Sequence, residues 1–181
     1  MKQFLKKLIN HPTWFCLTCL TLGSLTGLLN GLSSRPSAPR PATPERVWRY
    51  IAQEAPKRGI DPQFVYAIAW AESSLNPRAS SGYANGMMQL SEIAWDEVSN
   101  TSYQLAWNWH TNVYVAIDYL AFCKNFLEQN GHFSYPLLAA CYRYGPYKVK
   151  AANYSLSQLP APSNRIYQQL FAGNTAPVKT P

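Results

Sequence analysis

The chain has 181 residues, a formal charge of +7, 47% hydrophobic and 14% charged side chains. That length suits one domain of roughly 100–200 residues, with enough apolar material for a core. The positive charge favours an anionic partner, yet it is modest and scattered: three of the sixteen cations fall in the first 33 residues, and no helix or stripe is dense in lysine and arginine. A nucleic-acid partner is therefore not expected.

Lys2, Lys6 and Lys7 precede the apolar stretch 14-WFCLTCLTLGSLTGLLNGL-32, and small residues follow at Ser33 and Ser34. A basic start, an apolar run and small residues make the order of a secretory signal. The run is 19 residues long, close to the ~20 that span a bilayer, so cleavage and anchoring both stay open. Residues 1–33 are thus expected to be a signal peptide or signal anchor. The folded part would then lie in the periplasm or cell envelope, and any membrane contact would run through this segment alone. Cys16 and Cys19 within it read as small apolar fillers. Residues 34–43 form a Pro/Ser-rich linker, 44–172 the folded domain, and 173–181 a tail expected to be disordered.

The folded part reads as helices in series. Thr43-Pro44-Glu45 places a cap, a first-turn proline and an acid at a helix start. Val47, Ile51 and Ala55 keep helical spacing, and Lys57-Arg58-Gly59 close the segment. Asp61-Pro62 opens a second helix with an apolar run from Phe64 to Ala71, stopped by Asn76-Pro77. Further helices are expected over 92–99 after Ser91, over 112–130 with Asn112 as its cap, over 136–144, and over 163–172. Alternating strand patterns are scarce. The fold class is mainly α, a multi-helix domain.

Glu72 stands in the last turns of the second helix. The negative end of the helix dipole and apolar neighbours such as Ile68 and Trp70 both disfavour a carboxylate anion and push its pKa upward. A glutamate protonated near neutral pH is what a general acid needs. The residues alone leave two readings open, a solvated helix-end charge and a proton donor held in a cleft.

Several segments then line up in order: Glu72-Ser73-Ser74-Leu75-Asn76-Pro77, Gly86-Met87-Met88-Gln89-Leu90, Asn112 with Tyr119-Leu120, and Tyr142 with Gly145-Pro146. Together they resemble the soluble lytic transglycosylase catalytic domain, a lysozyme-like family, over about residues 44–172. The resemblance implies a lysozyme-like fold with a substrate cleft. The implied substrate is the peptidoglycan glycan strand, cut at the β-1,4 bond between N-acetylmuramic acid and N-acetylglucosamine. The product would carry a 1,6-anhydro ring, with Glu72 as the catalytic acid and then base. Ordinary glycosidases use two carboxylates; here the sugar's own 6-hydroxyl would replace the second. By carry-over, Ser73 would orient the acid or bind sugar, and Gly86 would permit close backbone approach. Met88 and Gln89 would line the cleft, with Gln89 facing an acetamido group. Tyr142 would hydrogen-bond Glu72 or the sugar, Tyr167 would border the cleft, and Tyr119 and Leu120 would be core. Small enzymes of this type accompany secretion or conjugation complexes, which makes such a complex a candidate partner by analogy.

The family's usual Tyr-Asn-Ala-Gly-Pro is here Tyr142-Arg143-Tyr144-Gly145-Pro146; Arg143 replaces the small amide and would either bind the lactyl or peptide carboxylate of the substrate or point to solvent. The loop from Ala79 to Gly86 is about one residue shorter than is common. Two other functions stay open: a goose-type lysozyme-like hydrolase, needing a second acid such as Asp96 or Glu97, and a non-catalytic peptidoglycan-binding scaffold. Tyr83, Trp95, Tyr103, Trp107 and Trp109 supply aromatics for sugar subsites or for the core. Cys123 and Cys141, on the fourth and fifth expected helices, fit either a disulfide or two buried thiols. No cofactor or metal is expected, since His110, His132 and these cysteines lack metal-ligand spacing.

Overall fold

The structure is a computed structural model that describes residues 41–181. The signal or anchor segment and most of the linker lie outside the described residues. Among the described residues no helix is long and apolar enough to cross a membrane.

The first helix, α1 (Pro44–Glu54), buries Val47 and Ile51 on one face, and a 3-10 turn, Ala55–Arg58, extends it. The expected single helix tightens there because Pro56 has no N–H to give and its ring crowds the preceding turn. Thr43 occupies the cap position but its side chain makes no capping bond. Arg58 fastens this corner to the centre of the fold, with Nε donating to Asp118 Oδ1 at 2.8 Å and Nη1 pairing with Glu54 at 3.2 Å.

The second helix, α2 (Pro62–Ser73), buries six consecutive residues from Phe64 to Ala69. A helix apolar all round belongs in the interior. Asp61 caps it by accepting from the Gln63 amide at 2.8 Å. It ends earlier than Asn76-Pro77 suggested, because Ser74 and Leu75 take left-handed φ angles of 53° and 64°. Each such residue costs about 1–2 kcal/mol. Leu75 is buried, and burying a leucine contributes ~1.5–3 kcal/mol, enough to offset its own share.

A short antiparallel hairpin follows, β1 (Ala84–Asn85) paired with β2 (Leu90–Ser91). Two-residue strands leave no periodicity to read. Next come α3 (Glu92–Val98) and α4 (Trp109–Gln129). Asn108, not Asn112, caps α4: its Oδ1 accepts from the amides of His110 and Thr111. Asn112 lies one turn inside the helix, fully buried. Helix α5 (Tyr135–Tyr144) stops at Gly145 as expected, but Pro146 then opens a further short helix, α6 (Pro146–Ala151), that the sequence reading lacked. A first-turn proline loses nothing by having no N–H. The last helix is α7 (Arg165–Phe171).

Five helices close a ring of contacts, α1 to α2, α2 to α7, α7 to α5, α5 to α4 and α4 back to α1, while α3 lies on α4 and α6 on α5. The fold is mainly α and lysozyme-like. Cys123 and Cys141 are both free and buried; burial pushes the Cys141 thiol up to about 12. In the segment after α7, Val178 packs against the core.

Candidate active site

The catalytic candidate is built where α2, α7 and the hairpin meet. Glu72 is the penultimate residue of α2. Two bonds hold α7 against this helix end. Asn164 caps α7 through Oδ1, accepting from Ile166 at 2.8 Å, while its Nδ2 donates to the Ala71 carbonyl at 3.1 Å. One turn along α7, the Tyr167 hydroxyl donates to Glu72 Oε1. Tyr167 is wholly buried, so Glu72 receives a donor that water does not compete for.

The other side is a clamped loop. The Ser73 hydroxyl donates to the Met87 carbonyl at 2.6 Å, and the Tyr142 hydroxyl donates to the Met88 carbonyl at 2.8 Å. Asn112 Oδ1 accepts from the Met88 amide at 2.7 Å and its Nδ2 donates to the Asn85 carbonyl at 3.2 Å. Gln89 Nε2 donates to the carbonyls of Ala79 and Gly86, both at 2.9 Å. Gly86 has φ +80°, and a Cβ there would stand 2.2 Å from the Ala106 carbonyl oxygen and 2.6 Å from Asn112 Nδ2. The loop over 86–89 is thus fixed by four side chains and one required glycine.

A cleft of about 550 Å³ opens on this assembly. Glu72, Gln89, Tyr142 and Arg143 all line it, together with Glu97 from α3 and Tyr119 and Phe122 from α4. Its walls also carry exposed apolar side chains, with Tyr83 89%, Ile93 84% and Tyr147 68% exposed. Burial pushes the Glu72 carboxyl above the usual carboxylate range, while the Tyr167 hydrogen bond and the Arg143 charge pull the other way. Arg143 reaches across the Tyr167 ring, 4.6 Å from its centroid. Among the described residues no three of His, Cys, Asp and Glu are grouped closely enough to hold a metal ion.

The transglycosylase SLT domain family matches residues 49–160. The chain belongs to that family. Among solved structures, an inactive glutamate-to-glutamine mutant of the lytic transglycosylase Slt from Pseudomonas aeruginosa is similar, with a TM-score of 0.57 and 22% identity. The match covers 70% of this chain and 23% of that one, so the likeness is one of fold over less than a quarter of the Pseudomonas protein. A search of curated proteins finds no match.

The SLT domain here distributes its expected site residues unevenly. Gln89, Tyr142 and Arg143 share the cleft with Glu72, and Tyr167 touches the acid directly. Tyr167 itself is fully buried and does not border the cleft, and three others do not face it either. Met88 is fully buried and contributes its backbone carbonyl. Gly86 gives close approach to Ala106 and Asn112, not to a ligand. Ser73 spends its hydroxyl on the loop. Tyr142 bonds Met88, not Glu72, and the Gln89 amide donor is taken up inside the loop. Of the aromatics considered for subsites, Tyr83 lines the cleft, whereas Trp95 is core and donates to the Thr101 carbonyl at 2.8 Å. Sequence reading missed Asn164 as a tether. An asparagine just before a helix signals a cap, and nothing in that pattern reveals where its other amide atom reaches.

Proposed function

We propose that the domain is a peptidoglycan lytic transglycosylase, cleaving the β-1,4 bond between N-acetylmuramic acid and N-acetylglucosamine with Glu72 as acid and then base. The observation that carries the reading is a part-buried glutamate, raised in pKa, that opens onto a cleft walled by exposed aromatics and receives a hydrogen bond from Tyr167. Glu72 gives its proton to the glycosidic oxygen as the C1–O bond breaks, with the sugar's N-acetyl group stabilising the cationic centre. The 6-hydroxyl oxygen of the same sugar then attacks C1, and its proton passes to the Glu72 carboxylate. The intramolecular attack gains from proximity. A 1,6-anhydro end forms, the acid is regenerated, and no water is consumed. Sugar rings would lie against the exposed faces of Tyr83 and Tyr147. The proposal includes export through residues 1–33 to the periplasm or cell envelope, with a secretion or conjugation complex as recruiting partner.

One observation favours a second reading. Glu97, considered above as the second acid of a hydrolase, lines the same cleft, whereas Asp96, also exposed, lies outside its lining. Digesting insoluble peptidoglycan with residues 34–181 and identifying the soluble fragments by mass separates the readings. Products lighter by one water than hydrolysis products, absent with Glu72→Gln and present with Glu97→Gln, support the transglycosylase. Reducing ends that disappear with Glu97→Gln replace it by the hydrolase. No fragments from wild type, with the protein still pelleting with the wall, leave the scaffold.

A further inference from the structure

The α5–α6 corner carries a pair of cations that take no part in the proposed proton transfers. Arg143 lies 5.6 Å from the centroid of the Tyr144 ring, and Lys148, one turn further on, lies 5.4 Å from the same centroid. Gly145-Pro146 makes this possible, since the break between α5 and α6 brings Lys148 back over Tyr144. The ring is itself fixed: its hydroxyl donates to the Pro160 carbonyl at 2.7 Å. Arg143 also stacks on Tyr167, so its guanidinium is held between two aromatic side chains.

Neither cation is held in a salt bridge, although the Arg143 charge also acts on Glu72. Among the described residues, ion pairs engage Lys57, Arg58 and Lys124, but not Arg143 or Lys148. Arg143 Nε is buried without a hydrogen-bond partner. Arg143, Tyr144, Gly145, Pro146 and Tyr147 form a continuous wall of the cleft next to Glu72. A stacked guanidinium keeps its in-plane N–H donors for a ligand, and a planar fork of donors matches a carboxylate. Arg143 is the cation in that wall, and the exposed Lys148 follows directly after Tyr147, the last residue of the wall; two positive charges at this end concentrate an anionic ligand there.

We propose that Arg143 and Lys148, seated on Tyr144, form a carboxylate-binding subsite at the α5–α6 end of the cleft, which makes the domain select glycan strands that carry a free carboxylate beside the scissile bond. This rests on the peptidoglycan reading above. The carboxylate has two chemical sources: the peptide stem, or the lactyl acid of a strand stripped of its stem.

The test measures binding, so that it does not depend on turnover. Glu72→Gln protein is titrated with three soluble strands of equal length: stem-bearing, stem-bearing with its carboxylates amidated, and stem-free with the lactyl acid exposed. The expected result is binding about tenfold tighter for a charged strand than for the amidated one, the scale of a charge-assisted bond. Whichever charged strand is preferred identifies the source. Adding Arg143→Gln or Lys148→Gln lowers the preference, and both together abolish it. Lys148 is exposed, so its variant tests the subsite even where the Arg143 variant fails to fold. Equal binding of charged and amidated strands, a preference kept in both single variants, or no binding to any strand overturns the subsite. Failure of the transglycosylase reading shows separately, as wild type that yields no anhydro ends while the binding preference persists.

Discussion

Tyr167 donates its hydroxyl to Glu72 Oε1 across 95 residues of sequence. The bond joins the last turn of α2 to α7, and it acts on the acid in one direction, by favouring the carboxylate. It supports the carboxylate that remains after a proton is given, and it makes the proton easier to lose beforehand.

Replacing that tyrosine therefore has a signed outcome. Tyr167→Phe removes a contribution that lowers the Glu72 pKa and leaves burial, which raises it. The alkaline limb of kcat/KM against pH, which reports ionisation of the required acid, moves to higher pH. The rate at the optimum falls by roughly tenfold to a hundredfold, the worth of ~1.5–3 kcal/mol for a hydrogen bond to a charged group. A pH–rate profile on soluble glycan strands checks both. An alkaline limb that stays in place would mean that Tyr167 does not act on the titrating group.

Glu72→Gln should separate stability from activity. The folded-state pKa of Glu72 is raised, so between its unfolded value and its folded value the native state holds more protons than the unfolded one. Stability then falls as pH rises through that window. The neutral amide has no such loss. Thermal melts of the two proteins should nearly coincide at acidic pH, with the variant melting progressively higher as pH rises past the unfolded carboxylate value. A gap independent of pH would show that burial does not hold the Glu72 proton.

Much of this was legible in the sequence, for local reasons. The apolar run of α2 and its Asp61-Pro62 start placed Glu72 at the end of a buried helix. What failed was long-range or depended on one helical turn. Asn108 and Asn112 lie four residues apart and so share a face of α4; a start read one turn late gives the cap to Asn112 and hides its real work of bridging Met88 and Asn85. The Gly-Met-Met-Gln segment was recognisable, but sequence does not say whether a residue serves through its side chain. Gly86, Met87 and Met88 serve here largely through their backbone carbonyls. Leu75 could not be foreseen in a left-handed conformation, because tertiary burial decides it.

Asn164 offers a test of the tether apart from the chemistry. Asn164→Ala removes the α7 cap, a loss of ~1 kcal/mol, and the bond to the Ala71 carbonyl, worth about 1 kcal/mol more. Asn164→Asp keeps the cap acceptor but cannot donate to Ala71. Chemical denaturation should therefore rank wild type, Asp and Ala in falling stability. Both variants should lower kcat more than they raise KM, because Tyr167 and Glu72 lose their common frame. A KM effect alone would place Asn164 in binding instead.

Gly86 and Gly82 make a matched pair that isolates packing from backbone strain. Both have left-handed φ, +80° and +84°, but a Cβ at Gly82 meets nothing within 4 Å, whereas at Gly86 it would stand 2.2 Å from a backbone oxygen. Alanine at Gly82 should cost about 1–2 kcal/mol, the left-handed penalty alone. Alanine at Gly86 adds a clash that only backbone movement relieves, and that movement breaks the Asn112 bridge and leaves the Met88 amide buried without a partner, a further ~1–3 kcal/mol. Equilibrium denaturation of the two variants reads the difference directly. Glycan cleavage should follow it, nearly intact with Gly82→Ala and lost with Gly86→Ala. Equal losses of stability would show that the loop over 86–89 accommodates a side chain at that position and that its rigid clamp is not what positions the cleft.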